Sequence, residues 1–189
     1  MDHMSIFPTL LWRGESELDN FRLRDLCYDH QKKVDGEQVS NVVGYQGHKF
    51  FDEKFDDEII EQIPRVEGKE ELPPMHLFSW VNINGKGHYN EPHTHFNQMT
   101  PIFLSGVYYV SVPEDSGVIR FFDPRGTMVG GSIDQDYYFN SQPFAYVEPE
   151  DGMFLFFPSW LEHDVTQNHS DEDRISISFN VLVGERQEK

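Results

Sequence analysis

The apolar and polar residues of this chain follow two different periodicities. From residue 75 onwards they alternate or form short apolar runs, and clusters of Pro, Gly, Asn and Asp separate the runs. Alternation is typical of strands with one buried face, and short apolar runs are typical of strands buried on both faces. The pattern predicts seven strands, over residues 75–83, 93–96, 103–112, 117–122, 144–147, 153–157 and 174–183. Because almost no helical pattern lies between them, we predict a mainly β protein with an antiparallel sandwich or jelly-roll fold.

The first third of the chain has a helical pattern instead. Apolar residues recur at roughly helical spacing between residues 16 and 33, at Leu18, Phe21, Leu26 and Tyr28. Ser16 is the predicted cap of this helix, with Asp19 three residues later. A shorter second helix is predicted over 56–63, where it ends before a proline. Between the two helices we expect a turn-rich polar loop over 35–47.

The domain organisation follows from the length and from one break in the pattern. A chain of 189 residues fits one domain of ordinary size. Residues 66–72 are mostly polar and two prolines follow them, so this stretch is predicted to be a surface linker. We therefore predict a single domain over 1–189, with an N-terminal helical support over 1–72 and a jelly-roll core over 73–184.

Composition and net charge limit the binding partners and the cellular compartment that the sequence predicts. The formal net charge is -18, so a nucleic-acid backbone would be repelled and no nucleic-acid partner is predicted. There is neither an apolar run long enough to span a bilayer nor a secretory signal at the start, so no membrane association is predicted. With Cys27 as the one cysteine, no internal disulfide can form, which favours a reducing, cytoplasmic location.

Three histidines are the candidate metal ligands. His93 and His95 are two residues apart, so in an extended chain both imidazoles lie on the same face and can reach one point. His163 follows seventy residues later, and we expect it to return in space to the pair. Three such nitrogens would form a facial set with open positions, which suits redox-active iron better than a closed structural site.

Four stretches of sequence form a recognisable set of motifs. They are Trp80-Val-Asn-Ile-Asn84, the block 93–110, Gly117-Val-Ile-Arg-Phe-Phe-Asp-Pro-Arg125, and the block 152–163 with its continuation over 174–180. Over residues 40–180 this set resembles the iron(II)- and 2-oxoglutarate-dependent oxygenases, in particular the prolyl-hydroxylase-like branch and an uncharacterised bacterial and phage group. The resemblance implies a double-stranded β-helix, a cupin-like jelly roll, and a dioxygenase that hydroxylates a substrate with release of succinate and CO2. Its cofactors would be Fe(II), 2-oxoglutarate and O2.

The resemblance also implies roles for individual residues. His93 matches the first metal-ligating histidine of the family, and His163 matches the distal one. Arg174 matches the basic residue that receives the far carboxylate of 2-oxoglutarate, and its planar guanidinium can hold a carboxylate through two parallel bonds. Tyr109 matches a tyrosine that touches the same carboxylate in prolyl-hydroxylase-like enzymes. Ser176 lies two residues after Arg174, so it should face the same way and add a hydroxyl contact.

His95 departs from the family pattern, which usually has an aspartate or glutamate at this position. Three neutral imidazoles leave iron with its full double charge, whereas a carboxylate would cancel one unit. This substitution keeps two alternatives open: a three-histidine, cupin-type iron dioxygenase that does not use 2-oxoglutarate, and a non-catalytic jelly-roll binding module. A further option is that His95 is not a ligand and water fills the third position.

The remaining predictions concern the surroundings of the site. Asn90 and Asn97 flank the histidines and could orient a ligand, and Arg125 could reach the pocket mouth and bind an acidic group. The expected substrate is a protein side chain, a peptide or a small molecule, and the acidic surface favours a basic or neutral one. Exposed strand edges are compatible with a homodimer.

Overall fold

A computed structural model describes residues 7–65, 71, 73–96, 102–125 and 144–184 of the protein. Within these ranges the chain forms eleven strands and two helices. In chain order they are β1 (Trp12–Glu15), α1 (Asn20–Lys33), β2 (Asn41–Val42), β3 (Tyr45–Phe50), α2 (Glu53–Glu61), β4 (Met75–Asn84), β5 (Tyr89–His93), β6 (Ile102–Ser111), β7 (Ile119–Phe122), β8 (Phe144–Val147), β9 (Met153–Phe157), β10 (His163–Val165) and β11 (Arg174–Val183). The predicted mainly β class is confirmed.

The strands form two antiparallel sheets. The larger sheet has the strand order β1-β9-β6-β11-β4-β3, and the smaller one has the order β2-β5-β10-β7-β8. Strands that are far apart in sequence are neighbours in both sheets; β11, for example, lies between β4 and β6 over nearly its whole length. Such crossovers between two antiparallel sheets are the topology of a jelly roll, which confirms that prediction.

The larger sheet is buried on both faces. On β9, Phe154 and Phe156 belong to a core shared with the two helices, while Met153, Leu155 and Phe157 belong to a core that also contains residues of β7 from the smaller sheet. All five side chains are buried. This explains why the sequence of β9 is a continuous apolar run rather than an alternating one. The space between the sheets is therefore dry and apolar where β6, β7 and β9 meet.

The two helices cover the outer face of the larger sheet. Helix α1 begins at Asn20 because Asp19, not the predicted Ser16, accepts a hydrogen bond from the amide of Arg22 at 3.1 Å. Helix α2 likewise begins three residues earlier than predicted, with Asp52 as its cap. Carboxylates at these positions bind the free amides of the first helical turn. Neither helix has both the length and the apolar character needed to cross a bilayer.

Cys27 packs on the inner face of α1 and has no exposed surface. Burial raises the pKa of its thiol to about 12, because an apolar environment disfavours the charged thiolate. The thiol is therefore a protonated packing group at neutral pH.

The sequence prediction of several strands was wrong or incomplete. The predicted loop over 35–47 contains β2 and the start of β3. β3 lies at a sheet edge, so it carries polar residues and its sequence resembles that of a loop. The predicted strand at 93–96 is instead β5, which ends at His93. Strands β1 and β10 were missed because they are only four and three residues long. The N-terminal part thus contains strands of both sheets as well as helices, and the division at residue 72 stays a prediction.

Gly106 offers a test of the tight packing inside the larger sheet. A Cβ atom at this position would lie 2.5 Å from the backbone oxygen of Leu155 and would overlap the ring of Phe179. Since a backbone oxygen in a sheet cannot move away, we expect Gly106→Ala to lower the free energy of unfolding by about 1–3 kcal/mol. Chemical denaturation measures this change, with the exposed Lys54→Ala as a control that should stay within about 0.5 kcal/mol of the wild type. Equal stability of the two variants would contradict the packing described here.

Candidate active site

Three histidines converge at one end of the space between the sheets. His93 is the last residue of β5 and His163 is the first of β10, and the two face each other in register. His95 follows β5, where its amide donates a hydrogen bond of 2.9 Å to the carbonyl of Ser159. One ring nitrogen from each of the three residues lies within 4.8 Å of the others. The structure therefore brings together the three histidines that the sequence singled out.

Each of these rings is held through its Nδ1 atom. His93 Nδ1 lies 2.7 Å from the carbonyl oxygen of Glu91, and His163 Nδ1 lies 2.9 Å from that of Leu161. His95 Nδ1 lies 2.9 Å from the side-chain oxygen of Asn180. Because an oxygen can only accept, each Nδ1 carries the proton, and each Nε2 keeps a free lone pair. A set of three neutral imidazoles with free Nε2 atoms is a donor set that fits a divalent transition metal such as iron(II).

The surroundings of the histidines are aromatic and largely dry. The ring of Phe157 meets that of His163 edge-on at 4.7 Å between centroids, and Trp80 meets His95 in the same way at 5.3 Å. Burial lowers the pKa of all three imidazoles, that of His95 to about 4. The charged forms are disfavoured because little water reaches them. At neutral pH the three rings are therefore uncharged and able to bind a metal.

Arg174 is buried in the same cavity without an acidic partner. Its side chain is on the inner face of β11 with 3% of the residue exposed, and its Nε atom has no hydrogen-bond partner. Its guanidinium carbon lies 5.3 Å from the centre of the Tyr109 ring. Among the described residues no carboxylate forms an ion pair with it, although buried charges are normally paired. The cavity thus presents a positive charge that is suited to a carboxylate.

Tyr109 and Ser176 face the cavity beside Arg174. They are register partners on β6 and β11, and the buried hydroxyl of Tyr109 has no hydrogen-bond partner. The neighbouring Tyr108 points to the helices instead, where its hydroxyl donates to Asn20 at 2.6 Å. That opposite orientation follows from the alternation of side chains along a strand. A phenol and a guanidinium therefore lie side by side within one cavity, and neither has an acidic partner among the described residues.

Other cavity residues were missed by the sequence analysis. Polar side chains occupy every second position of β11, from Arg174 through Ser176 and Ser178 to Asn180, and this alternation was the available signal for a polar interior. The described residues that line the cavity are Ser40, Trp80, Asn82, Asn90, His93, His95, Val107, Tyr109, Ile119, Val165, Arg174, Ser176 and Ser178. Trp80, with 7% of the residue exposed, forms part of this wall.

The predicted neighbours of the histidines have different positions. Asn90 lines the cavity, but its amide bonds Asn84 and Ser40 rather than a histidine. Arg125 lies on the surface, where it forms a two-pronged ion pair with Asp123 and is not part of the cavity lining. Its predicted pocket role therefore finds no support in its position. Asn97 lies outside the described residues.

Comparison with known proteins identifies the family. Residues 78–180, more than half of the chain, match the model of a family described as "Putative 2OG-Fe(II) oxygenase". Among curated protein sequences, none matches this chain.

Several solved structures share the fold. A prolyl-4-hydroxylase from Pseudomonas putida is similar with a TM-score of 0.67 and 14% identity over 94% of each chain. A Trichoplax adhaerens prolyl hydroxylase, in complex with a hypoxia inducible factor peptide fragment, has a TM-score of 0.64 and 12% identity over 92% of this chain and 83% of its own. HygX from Streptomyces hygroscopicus, with nickel, 2-oxoglutarate and hygromycin B bound, has a TM-score of 0.60 and 10% identity over 93% and 83%.

The histidine cluster and the unpaired arginine agree with this match. The donor set fits iron(II), and the buried guanidinium fits a carboxylate of the co-substrate. The matched region contains the three histidines, Arg174, Tyr109 and Ser176. The chain therefore belongs to this family of 2OG-Fe(II) oxygenases, enzymes that use iron(II), 2-oxoglutarate and dioxygen.

Proposed function

We propose that the protein is a 2-oxoglutarate-dependent hydroxylase with a three-histidine iron site. His93, His95 and His163 would hold iron(II), and Arg174, Tyr109 and Ser176 would bind the far carboxylate of 2-oxoglutarate. When bound, iron(II) would supply the chemistry by which dioxygen oxidises both molecules: one oxygen atom would enter succinate as 2-oxoglutarate loses CO2, and the other would enter the substrate as a hydroxyl group.

The observation that carries the proposal is the unpaired positive charge of Arg174. A buried guanidinium without a counter-ion is costly, and its partner among the described residues is missing. The free hydroxyl of Tyr109 beside it offers one more donor. A carboxylate that entered this cavity would satisfy both groups at once, and the other end of the same small molecule could reach the histidines that line the cavity.

In this proposal the protein side chains orient the co-substrate and keep water out of the site. The two parallel N–H bonds of a guanidinium fix the direction of a carboxylate as well as its place. The rings of Phe157, Trp80 and Phe121 pack against the histidines and would exclude water from that side, which strengthens the electrostatic interactions within the site. The main-chain bonds to His93 and His163 hold two of the ligands before a metal binds.

His95 supports a second candidate function. A cupin-type dioxygenase would use three histidines to bind iron, and its substrate would chelate the metal directly without 2-oxoglutarate. In that enzyme Arg174 would have no carboxylate of a co-substrate to bind. We favour the first function because the guanidinium is buried within the cavity rather than placed at its mouth.

Two substrate classes are compatible with the site: a peptide side chain and a small molecule. Solved structures with the same fold include one in complex with a peptide fragment and one with hygromycin B bound. A series of rings leads from the surface towards the histidines: Phe78, which is exposed, Trp80 at 6.3 Å from it, and His95 at 5.3 Å from Trp80. This wall could pack against an apolar part of the substrate, while the net charge of -18 favours a basic or neutral one.

The test is turnover of 2-oxoglutarate by the iron-loaded protein in air. A panel of peptides and small molecules is offered as possible substrates. When the panel contains a substrate, we expect succinate and a product that has gained one oxygen atom. Mass spectrometry detects both compounds. Arg174→Ala should remove both signals. Oxidation of a substrate without consumption of 2-oxoglutarate would support the cupin-type dioxygenase instead, and a protein that binds no iron would contradict both functions.

A further inference from the structure

His95 is the one histidine of the cluster whose ring is held by a distant side chain. The bonds to His93 and His163 come from carbonyl groups two residues earlier in the same chain segment. The bond to His95 comes from Asn180, 85 residues away on β11. His95 also lies beyond the end of β5, so no strand pairing fixes its side chain. Its orientation therefore depends on Asn180 more than that of the other two rings depends on any side chain.

An amide side chain can hold an imidazole in either of two ways. When its oxygen faces Nδ1, the Nδ1 atom carries the proton and Nε2 is free to bind a metal. When its NH2 group faces Nδ1, the proton moves to Nε2 and the ring can no longer bind through that atom. The direction of the Asn180 amide thus decides whether His95 can be a ligand.

The structure has the first of these directions, and Ser105 anchors the side chain of Asn180. Its hydroxyl, which is fully buried on β6, donates a hydrogen bond of 2.8 Å to the side-chain oxygen of Asn180. Ser105 and Asn180 are register partners on neighbouring strands, so their distance is fixed by the sheet. The oxygen of Asn180 therefore receives two bonds, from Ser105 and from His95.

We propose that Asn180 is a positioning residue that makes His95 a metal ligand by holding its Nδ1, with Ser105 anchoring the side chain of Asn180. This inference rests on the proposed metal site. A carboxylate ligand has no tautomer to select, so the pair would be needed only because a histidine replaces the acid that is usual at position 95. Asn180 acts through His95 and has no direct contact with the metal in this arrangement.

Metal affinity of the variants tests this role without reference to turnover. We expect Asn180→Ala to weaken Mn(II) binding, measured by calorimetry without oxygen, by roughly 10–100-fold, the usual effect of losing a partner of a metal ligand. Asn180→Asp should bind nearly as well as the wild type, because a carboxylate also accepts from Nδ1. Ser105→Ala should show a smaller loss of affinity than Asn180→Ala.

A double-variant cycle separates positioning from general damage. In a His95→Asp background there is no imidazole to orient, so adding Asn180→Ala should cause no further loss of Mn(II) affinity. The same loss in both backgrounds, or an affinity of Asn180→Ala equal to that of the wild type, would overturn the role of Asn180 alone. Failure of the wild type to bind Mn(II) would overturn the proposed metal site together with it. Thermal unfolding of the metal-free variants checks that each one folds.

Discussion

Replacement of Arg174 by alanine is expected to abolish measurable binding of 2-oxoglutarate to the metal-loaded protein. Removal of one partner of a buried ion pair leaves the other charge without compensation and costs about 3–5 kcal/mol, which is a loss of at least about 100-fold in affinity. Arg174→Lys should bind more weakly than the wild type but better than alanine, because lysine keeps the charge and lacks the planar fork. Calorimetric titration of 2-oxoglutarate in the absence of oxygen measures both effects.

Two comparisons make this result specific. Arg125→Ala, which removes a surface guanidinium whose partner is Asp123, should leave the affinity for 2-oxoglutarate unchanged. In the absence of metal and co-substrate, Arg174→Ala should not lower the free energy of unfolding by leaving a buried carboxylate without its partner, because Arg174 has no carboxylate partner within the described residues. Unaltered binding of 2-oxoglutarate by Arg174→Ala would show that the co-substrate carboxylate is held elsewhere.

Replacement of His163 by alanine is expected to produce the second large effect, a loss of metal binding. His163 is the most buried of the three histidines, with 4% of the residue exposed, and its Nδ1 is already bonded to the chain. Loss of one of three nitrogen donors should weaken Mn(II) or Fe(II) binding by more than the roughly 10–100-fold that loss of a ligand's hydrogen-bond partner costs. Anaerobic calorimetry with the metal alone measures the change.

His169→Ala is the matched control for this experiment. His169 is exposed and lies outside the cluster, so its removal should leave metal affinity at the wild-type value. His95→Asp should still bind metal, because a carboxylate is also a metal ligand. Wild-type affinity in His163→Ala would place the metal outside the histidine cluster.

The fold was largely predictable where its burial pattern is regular. Strands β8, β9 and β11 have the predicted limits, since a run of buried apolar residues bounded by turn residues is a strong local signal. The signal failed where pairing, rather than composition, makes the strand. β3 is a polar edge strand that is held by its pairing with β4, and β2 is two residues long.

The site was predictable only through its strongest patterns. The spacing of His93 and His95 and the motif before His163 indicated the cluster, and the family resemblance indicated Arg174. Asn180 could not be found in this way, because its bond to His95 spans 85 residues and depends on how β11 lies beside β6. The ion pair of Arg125 with Asp123 could not be foreseen either, because the sequence does not reveal which way these two side chains turn.

The central claim is that one cavity holds a metal on three histidines and 2-oxoglutarate on Arg174 at the same time. A crystal structure of the protein with Mn(II) and 2-oxoglutarate, grown without oxygen, tests it most directly through the anomalous signal of the metal and the density of the co-substrate. We predict a metal peak bounded by the Nε2 atoms of His93, His95 and His163, and a carboxylate on the guanidinium of Arg174. A metal peak away from this cluster, or 2-oxoglutarate bound without contact to Arg174, would contradict the account.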